Sequence, residues 1–278
     1  MDNSELLNDN VDINMAFGYP GSEPINKDKI AEILHRSIKE SGESSLQYTP
    51  ASGLSFVKDT VKKFLSEKGV KINSDDELIL PPGGTSALFY TFFATLNHKE
   101  YVIVESPTFI GTLNTLRFLK SNIDQVKLDE DGLNIDLLEA KIKEINKNGG
   151  KVKLIYTIPT AHNPTGVIMN DDRRKELIEV ANKYDLLIVE DDPYGFFVFD
   201  TDKHFTNLKT LDTEGRVIYM GTFSKILAPG LRLGYMIAPR QFTRNVELAK
   251  QIVDLHTSTL SQYIAMYAIK EGVVDETI

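Results

Sequence analysis

The sequence contains no cysteine. That rules out disulfides, thiolate metal sites and cysteine nucleophiles, and it fits a chain kept in the reducing cytoplasm. No apolar run reaches the roughly 20 residues needed to span a bilayer, and residues 1–12 are polar and acidic rather than signal-like. Basic residues are in the minority, 31 Lys and Arg against 40 Asp and Glu, leaving a net charge of -9 and a pI near 5.2. This balance argues against nucleic acid or an anionic membrane as a partner. The five histidines show no ligand spacing, so no metal site is expected. Neither a Ser-His-Asp order nor a G-x-S-x-G elbow occurs, and there is no internal repeat or low-complexity tract.

What is present is an ordinary globular composition, 41% hydrophobic and 26% charged over 278 residues, long enough for one large domain or two. After a polar leader at 1–12 and an extended stretch from Ile13 to Gly21, helical periodicity marks 27–41 and 53–68. An alternation then sets in. Strands are predicted at 77–80, 101–105, 123–128, 154–158, 186–190 and 217–220, with helices at 86–96, up to 119, from 135 to a stop at Gly149-Gly150, and after an Asn170 cap. Such an order predicts an α/β fold in three layers, with a mostly parallel central sheet covered on both faces.

Each unusual turn follows a predicted strand: 81–85, 106–109, 159–166, 191–194 and 221–225. Parallel strands end on one side, so these turns are expected to meet at a single site. Gly83-Gly84-Thr85 opens a helix with free amides suited to a phosphate, and Thr222, Ser224 and Arg232 add hydroxyls and a guanidinium. Phe109 offers a ring for stacking. Glu190-Asp191-Asp192-Pro193-Tyr194 ends an apolar strand, so at least one of its carboxylates must meet a ligand or a paired base. Lys225 is read as hanging on a loop past 217–220. Arg232 lies seven residues on, and glycines at 221, 230 and 234 are read as letting the backbone approach something bulky. A desolvated lysine beside another cation becomes a nucleophile.

Taken together, Gly18-Tyr19-Pro20, Tyr48-x-Pro50-x-x-Gly53, Gly83-Gly84-Thr85, Asn163-Pro164-Thr165-Gly166, Asp191-Asp192-Pro193-Tyr194 and Ser224-Lys225-x6-Arg232 resemble the class I/II, fold-type I, pyridoxal-phosphate-dependent aminotransferases. Within them, 190–194, 224–234 and Leu255-His256-Thr257-Ser258 look most like the 2-aminoadipate aminotransferase branch. The resemblance covers 13–278. It implies a large cofactor-binding domain at 48–278, with 1–47 forming a leader and part of a small domain that is incomplete here.

Carried over to this sequence, the resemblance implies that Lys225 holds the cofactor aldehyde as a Schiff base and later moves the substrate proton. Asp191 would pair with the pyridine nitrogen and keep it protonated. Asn163 and Tyr194 would hydrogen-bond the phenolic oxygen. Gly84, Thr85, Thr222, Ser224 and Arg232 would bind the phosphate of pyridoxal 5'-phosphate, joined by Tyr48 of a neighbouring subunit. Phe109 would stack on the ring, and Gly18 with Asn163 would meet the substrate. The implied activity moves an amino group from an amino acid to a 2-oxo acid, 2-oxoglutarate being the expected acceptor, in a cytoplasmic homodimer. The family's C-terminal segment, with the arginine that grips the substrate carboxylate, is not in these 278 residues, so the expectation is cofactor binding with slow or no turnover. Two other readings stay open. One is a ligand-sensing domain of a transcription regulator, against which no basic helix-turn-helix segment precedes Ile13. The other is a different reaction on the same cofactor, such as β-elimination.

Overall fold

The computed structural model describes residues 18, 20, 21, 25–199 and 205–278. The leader at 1–12 and the extended stretch predicted from Ile13 lie outside the described residues, apart from Gly18, Pro20 and Gly21. The chain opens with α1 (Lys27–Ser41), a 3-10 turn (Gly42–Ser45), α2 (Ser55–Glu67), β1 (Asp76–Ile79) and α3 (Gly84–Thr95). It continues through β2 (Glu100–Ser106), α4 (Ile110–Phe118), β3 (Asn122–Asp129), β4 (Gly132–Leu133), α5 (Ile135–Lys147), β5 (Lys151–Thr157), α6 (Asp171–Tyr184) and β6 (Leu187–Asp191). The last part holds α7 (Leu208–Leu211), β7 (Val217–Thr222), α8 (Phe223–Ile226), β8 (Gly234–Pro239), α9 (Arg240–Val253), α10 (Thr259–Lys270) and α11 (Val273–Thr277).

The eight strands form one sheet in the order β1-β8-β7-β6-β5-β2-β3-β4. From β3 to β7 every pairing is parallel. β8 runs antiparallel to both of its neighbours, β7 and β1, and β4 runs antiparallel to β3. Two reversals cancel, so β1 points the same way as β7, and the turn at 81–85 still opens on the side where the parallel strands end. The sequence pattern does not predict β8, because 234–239 is buried on both faces and shows no alternation.

Side-chain alternation along the strands sorts the core into layers. On β7, Ile218 and Met220 join one face with Val104, Tyr156 and Val189, covered by α3, α4 and α9. Val217 turns to the opposite face and packs with Ile103, Ile155 and Ile188 under α5 and α6. Tyr219 shares that opposite face near the β1–β8 end, where Ile33, Val57, Phe64 and Tyr263 of α1, α2 and α10 complete the cover. Helix starts follow their caps. Asn170 accepts from the Arg173 amide at 2.8 Å, with Asp171 and Asp172 in the first turn of α6, and Asn134 caps α5 in the same way. No helix among the described residues is long and apolar enough to cross a membrane.

Candidate active site

A cavity of about 380 Å³ opens at the carboxyl ends of the parallel strands. Gly84, Thr85, Phe109, Asn163, Asp191, Tyr194, Thr222, Ser224, Lys225 and Arg232 all line it. The sequence motifs therefore converge as the strand order requires. Pro20, Leu88, Ile158, Pro193 and Pro229 complete the described lining; none is named as a site residue from sequence, although Pro20 and Pro193 lie within the motifs expected there.

Lys225 sits in α8, a single helical turn following β7, rather than on the loop expected from sequence. The turn forms because Thr222, extended at the strand end, caps it by accepting from the Ser224 amide at 3.1 Å. Burial holds the Lys225 amine below the usual lysine range. Arg232, expected to share in this, is not among the causes. The Lys225 Nζ donates to the Gly18 carbonyl at 2.7 Å, which places Gly18 at the site. The neighbouring glycines have another purpose than the one expected. A Cβ on Gly221 would overlap the Tyr235 ring, and one on Gly234 would lie 3.0 Å from the Gly83 and Gly221 backbones. These two serve packing within the protein, not the approach of a ligand.

The acidic strip divides by strand alternation. Glu190 and Asp192 project to one face and Asp191 to the other, where it is the single carboxylate among the described lining residues of the cavity. Asp191 Oδ2 accepts from the Tyr156 hydroxyl at 2.7 Å. Burial, opposed by that hydrogen bond, raises the Asp191 carboxyl to about 6. Asp192 is held away from the cavity by the Tyr219 hydroxyl at 2.9 Å and the Asn207 amide at 3.1 Å. Glu190 accepts from the Leu208 and Lys209 amides, each at 2.8 Å. Arg174 lies 3.9 Å from it.

Opposite Asp191, the cavity wall is a set of donors. Gly83, with φ of 90°, leads into α3 with no side-chain cap, leaving first-turn amides free at Gly84 and Thr85. A Cβ on Gly83 would meet the Arg232 guanidinium at 2.6 Å, so only glycine lets Arg232 lie across this helix start. Thr222 Oγ1 and Ser224 Oγ, 2.9 Å apart, complete the group. Phe109 is admitted to the cavity by Gly111, whose Cβ would sit 2.5 Å from its ring. Among predicted site residues, Tyr48 alone lies apart, 76% exposed and edge-on to His256 at 5.5 Å.

The loop that carries Asn163 is braced from beneath. Arg174 is fully buried and donates to the carbonyls of Pro159 at 2.9 Å and Met169 at 2.8 Å, and to Thr160 Oγ1 at 2.9 Å. His162 turns inward, its Nε2 3.0 Å from Glu105 and its Nδ1 2.9 Å from Thr165 Oγ1. Its partners make it a structural residue of the loop. Burial and Asp191 push the Tyr194 hydroxyl up, and the Asn163 side chain beside it works against them.

Residues 16–277 match the family described as aminotransferase class I and II. The chain belongs to this family. It is 43% identical to an uncharacterized aminotransferase of Saccharolobus solfataricus, over 96% of this chain and 66% of that one. The solved kynurenine aminotransferase of Pyrococcus horikoshii, in complex with PMP, superposes with a TM-score of 0.89 at 38% identity, covering 94% of this chain and 64% of that one. The α-aminoadipate aminotransferase LysN of Thermus thermophilus gives a TM-score of 0.84 at 30% identity, over 94% and 64%. This aminotransferase-family chain thus spans just under two thirds of the length of these relatives. Three residues that the sequence pattern does not mark contact the lining of the site or its loop. Tyr156, Arg174 and Gly111 sit in stretches that read as apolar strand, solvated helix and helix start, although each positions a lining residue of the site.

Proposed function

We propose that this chain binds pyridoxal 5'-phosphate in the Lys225 cavity and serves transamination between an amino acid and a 2-oxo acid, with 2-oxoglutarate as acceptor. One juxtaposition carries the reading. A half-buried lysine of lowered basicity shares a single cavity with a buried carboxylate and a wall of anion donors. The donor set fits the group chemically. Gly84, Thr85, Thr222, Ser224 and Arg232 suit a phosphate, Asp191 suits a protonated ring nitrogen, Asn163 and Tyr194 suit a phenolic oxygen, and Phe109 suits a ring face.

When bound, the cofactor supplies an electron sink for the pair left behind as the substrate α-proton departs. Asp191 contributes a fixed negative charge that favours the protonated ring. Lys225, which lines the cavity, would be the residue that holds the cofactor through its aldehyde carbon. With burial lowering its basicity, its Nζ would be placed to take up the substrate α-proton and to hand it back. The carbonyl of Gly18, 2.7 Å from Nζ, holds the amine in place between these steps. Borohydride reduction of the protein loaded with pyridoxal phosphate, followed by peptide mapping, is expected to label Lys225. A label on another lysine, or none after reconstitution, defeats the reading.

The exposed Tyr48 and Leu46, bordering one groove with His256 and Leu260, support a second part of the proposal: a cytoplasmic, two-fold homodimer in which Tyr48 reaches the partner's phosphate wall. Sedimentation at micromolar concentration is expected to give a dimer. A monomer that still holds its cofactor tightly would contradict this arrangement.

A further inference from the structure

Two residues of β5 face opposite ways and meet opposite carboxylates. Thr157 turns to Glu105, donating at 2.5 Å, while Glu105 also accepts from the Ile158 amide at 3.0 Å and lies 3.0 Å from His162 Nε2. That carboxylate is fully engaged. Tyr156 turns to the cavity side, and its ring is wholly buried against Phe92 at 6.2 Å between centroids. A phenol so deep in an apolar layer needs a partner for its hydroxyl. It finds Asp191 Oδ2 at 2.7 Å. The ring is therefore core, and the hydroxyl is the part of Tyr156 that reaches the site.

We propose that Tyr156 is a positioning residue, whose hydroxyl holds one oxygen of Asp191 and leaves the other for the ring of the bound cofactor; this rests on the pyridoxal phosphate reading above. A carboxylate on a single torsion swings freely unless one oxygen is held, and a swinging charge stabilises a protonated ring less well. The charge state of Asp191 depends on the same bond. Burial raises its carboxyl, Asp192 just past the strand end and Glu105 on β2 raise it further, and the Tyr156 donation is the one influence opposing them. Tyr194, beyond the strand end, also faces Asp191. Nothing in the sequence run 154–158 marks Tyr156 for this, since it reads there as one more large strand residue.

The test compares wild type with Tyr156→Phe, each loaded with pyridoxal phosphate. The label at Lys225 is expected in both. Cofactor affinity should fall roughly tenfold or more in the variant, the size of one hydrogen bond to a charged group. The pH below which cofactor affinity falls should also move upward, because a carboxylate without its donor takes up a proton sooner. Activity should drop in kcat with little change in the donor KM. Tyr219→Phe, the same change on the opposite face, should leave cofactor affinity and its pH dependence as in wild type. If Tyr156→Phe does not fold, a fluorinated tyrosine placed at 156 keeps the volume with a stronger donor, and the affinity midpoint should move to lower pH. No label in wild type overturns both this inference and the function it rests on. A labelled wild type, with unchanged affinity and pH dependence in the variants, overturns the role of Tyr156 alone.

Discussion

Asp191 ends β6 and Asp192 directly follows it; they are equal in charge and both buried, yet they have become different kinds of residue. Asp192 takes two donors of the fold on its Oδ2, the Tyr219 hydroxyl and the Asn207 amide, and belongs to the side of the sheet beneath α1, α2 and α10. Asp191 has a single side-chain donor from the protein, Tyr156, and otherwise faces the cavity. A half-turn of strand separates them. Both donors to Asp192 come from the fold and reach Oδ2, leaving its Oδ1 buried without a partner among the described residues, whereas Asp191 borders a cavity that a ligand can fill; what divides the two is the space each carboxylate faces. The same rule separates the two cations nearby. Arg174 spends its donors on three carbonyl or hydroxyl oxygens of the Asn163 loop, while Lys225 keeps one contact, to Gly18.

The widest separation of the pair is expected from Asp191→Asn and Asp192→Asn measured side by side. Asp191→Asn should retain the cofactor but slow α-proton removal by about two or more orders of magnitude, the scale of losing a charge-stabilising group. Asp192→Asn should change turnover far less and lose stability instead. Equal losses of turnover would mean that strand alternation does not divide their roles. Stability should move in the opposite sense. The Asp191 carboxyl stands at about 6 in the folded chain against an ordinary 3.8, so the folded state binds this proton more tightly than the unfolded state does. Ligand-free stability therefore falls as pH rises from about 4 through about 6. Asparagine cannot ionise, and the ligand-free Asp191→Asn protein should be more stable than wild type above pH 7, by up to about 3 kcal/mol. The two should converge near pH 3. Glu190, raised to about 7 by burial and by Asp192, adds its own slope to both proteins and cancels in the comparison. Thermal melts of the ligand-free proteins across this range provide the check.

Much of this division was legible before any coordinates. The strand–turn alternation gave the sheet, and its turns did gather at one cavity, because chain direction forces that result once the strands are parallel. The rule that a buried charge needs a partner pointed to one of the carboxylates at 190–192 facing a ligand or a base, and one of them, Asp191, lines the cavity. It could not say which, and the choice of Asp191 came from resemblance. What stayed hidden were residues whose role depends on which strands are neighbours. Tyr156 becomes a donor only because β5 lies beside β6, and strand order is not written in local periodicity. Arg174 reads as solvated on a polar helix, yet it is buried because the loop beneath it presents bare carbonyls. The glycines at 221 and 234 were misread for the same reason, since the Tyr235 ring and the Gly83 backbone come close only through β8, which the pattern did not predict.

The smallest effect should come from the hydroxyl of Tyr219, the counterpart of Tyr156 across the sheet. Both phenols are fully buried, and each donates to an aspartate, at 2.9 Å for Tyr219 and 2.7 Å for Tyr156. Removing one oxygen leaves each ring in place. On the Asp192 side the loss is shared, because the Asn207 amide still reaches the same oxygen. One hydrogen bond among several on a buried carboxylate is worth about 1–2 kcal/mol, so Tyr219→Phe should lower the melting temperature by a few degrees in a domain of this size. Cofactor affinity and turnover should not follow, because nothing on that face of β6 touches the Lys225 cavity. If Tyr219→Phe weakens cofactor binding as much as Tyr156→Phe does, the two faces of β6 are coupled through the strand itself. Asp192 would then have to be counted with the site rather than with the fold.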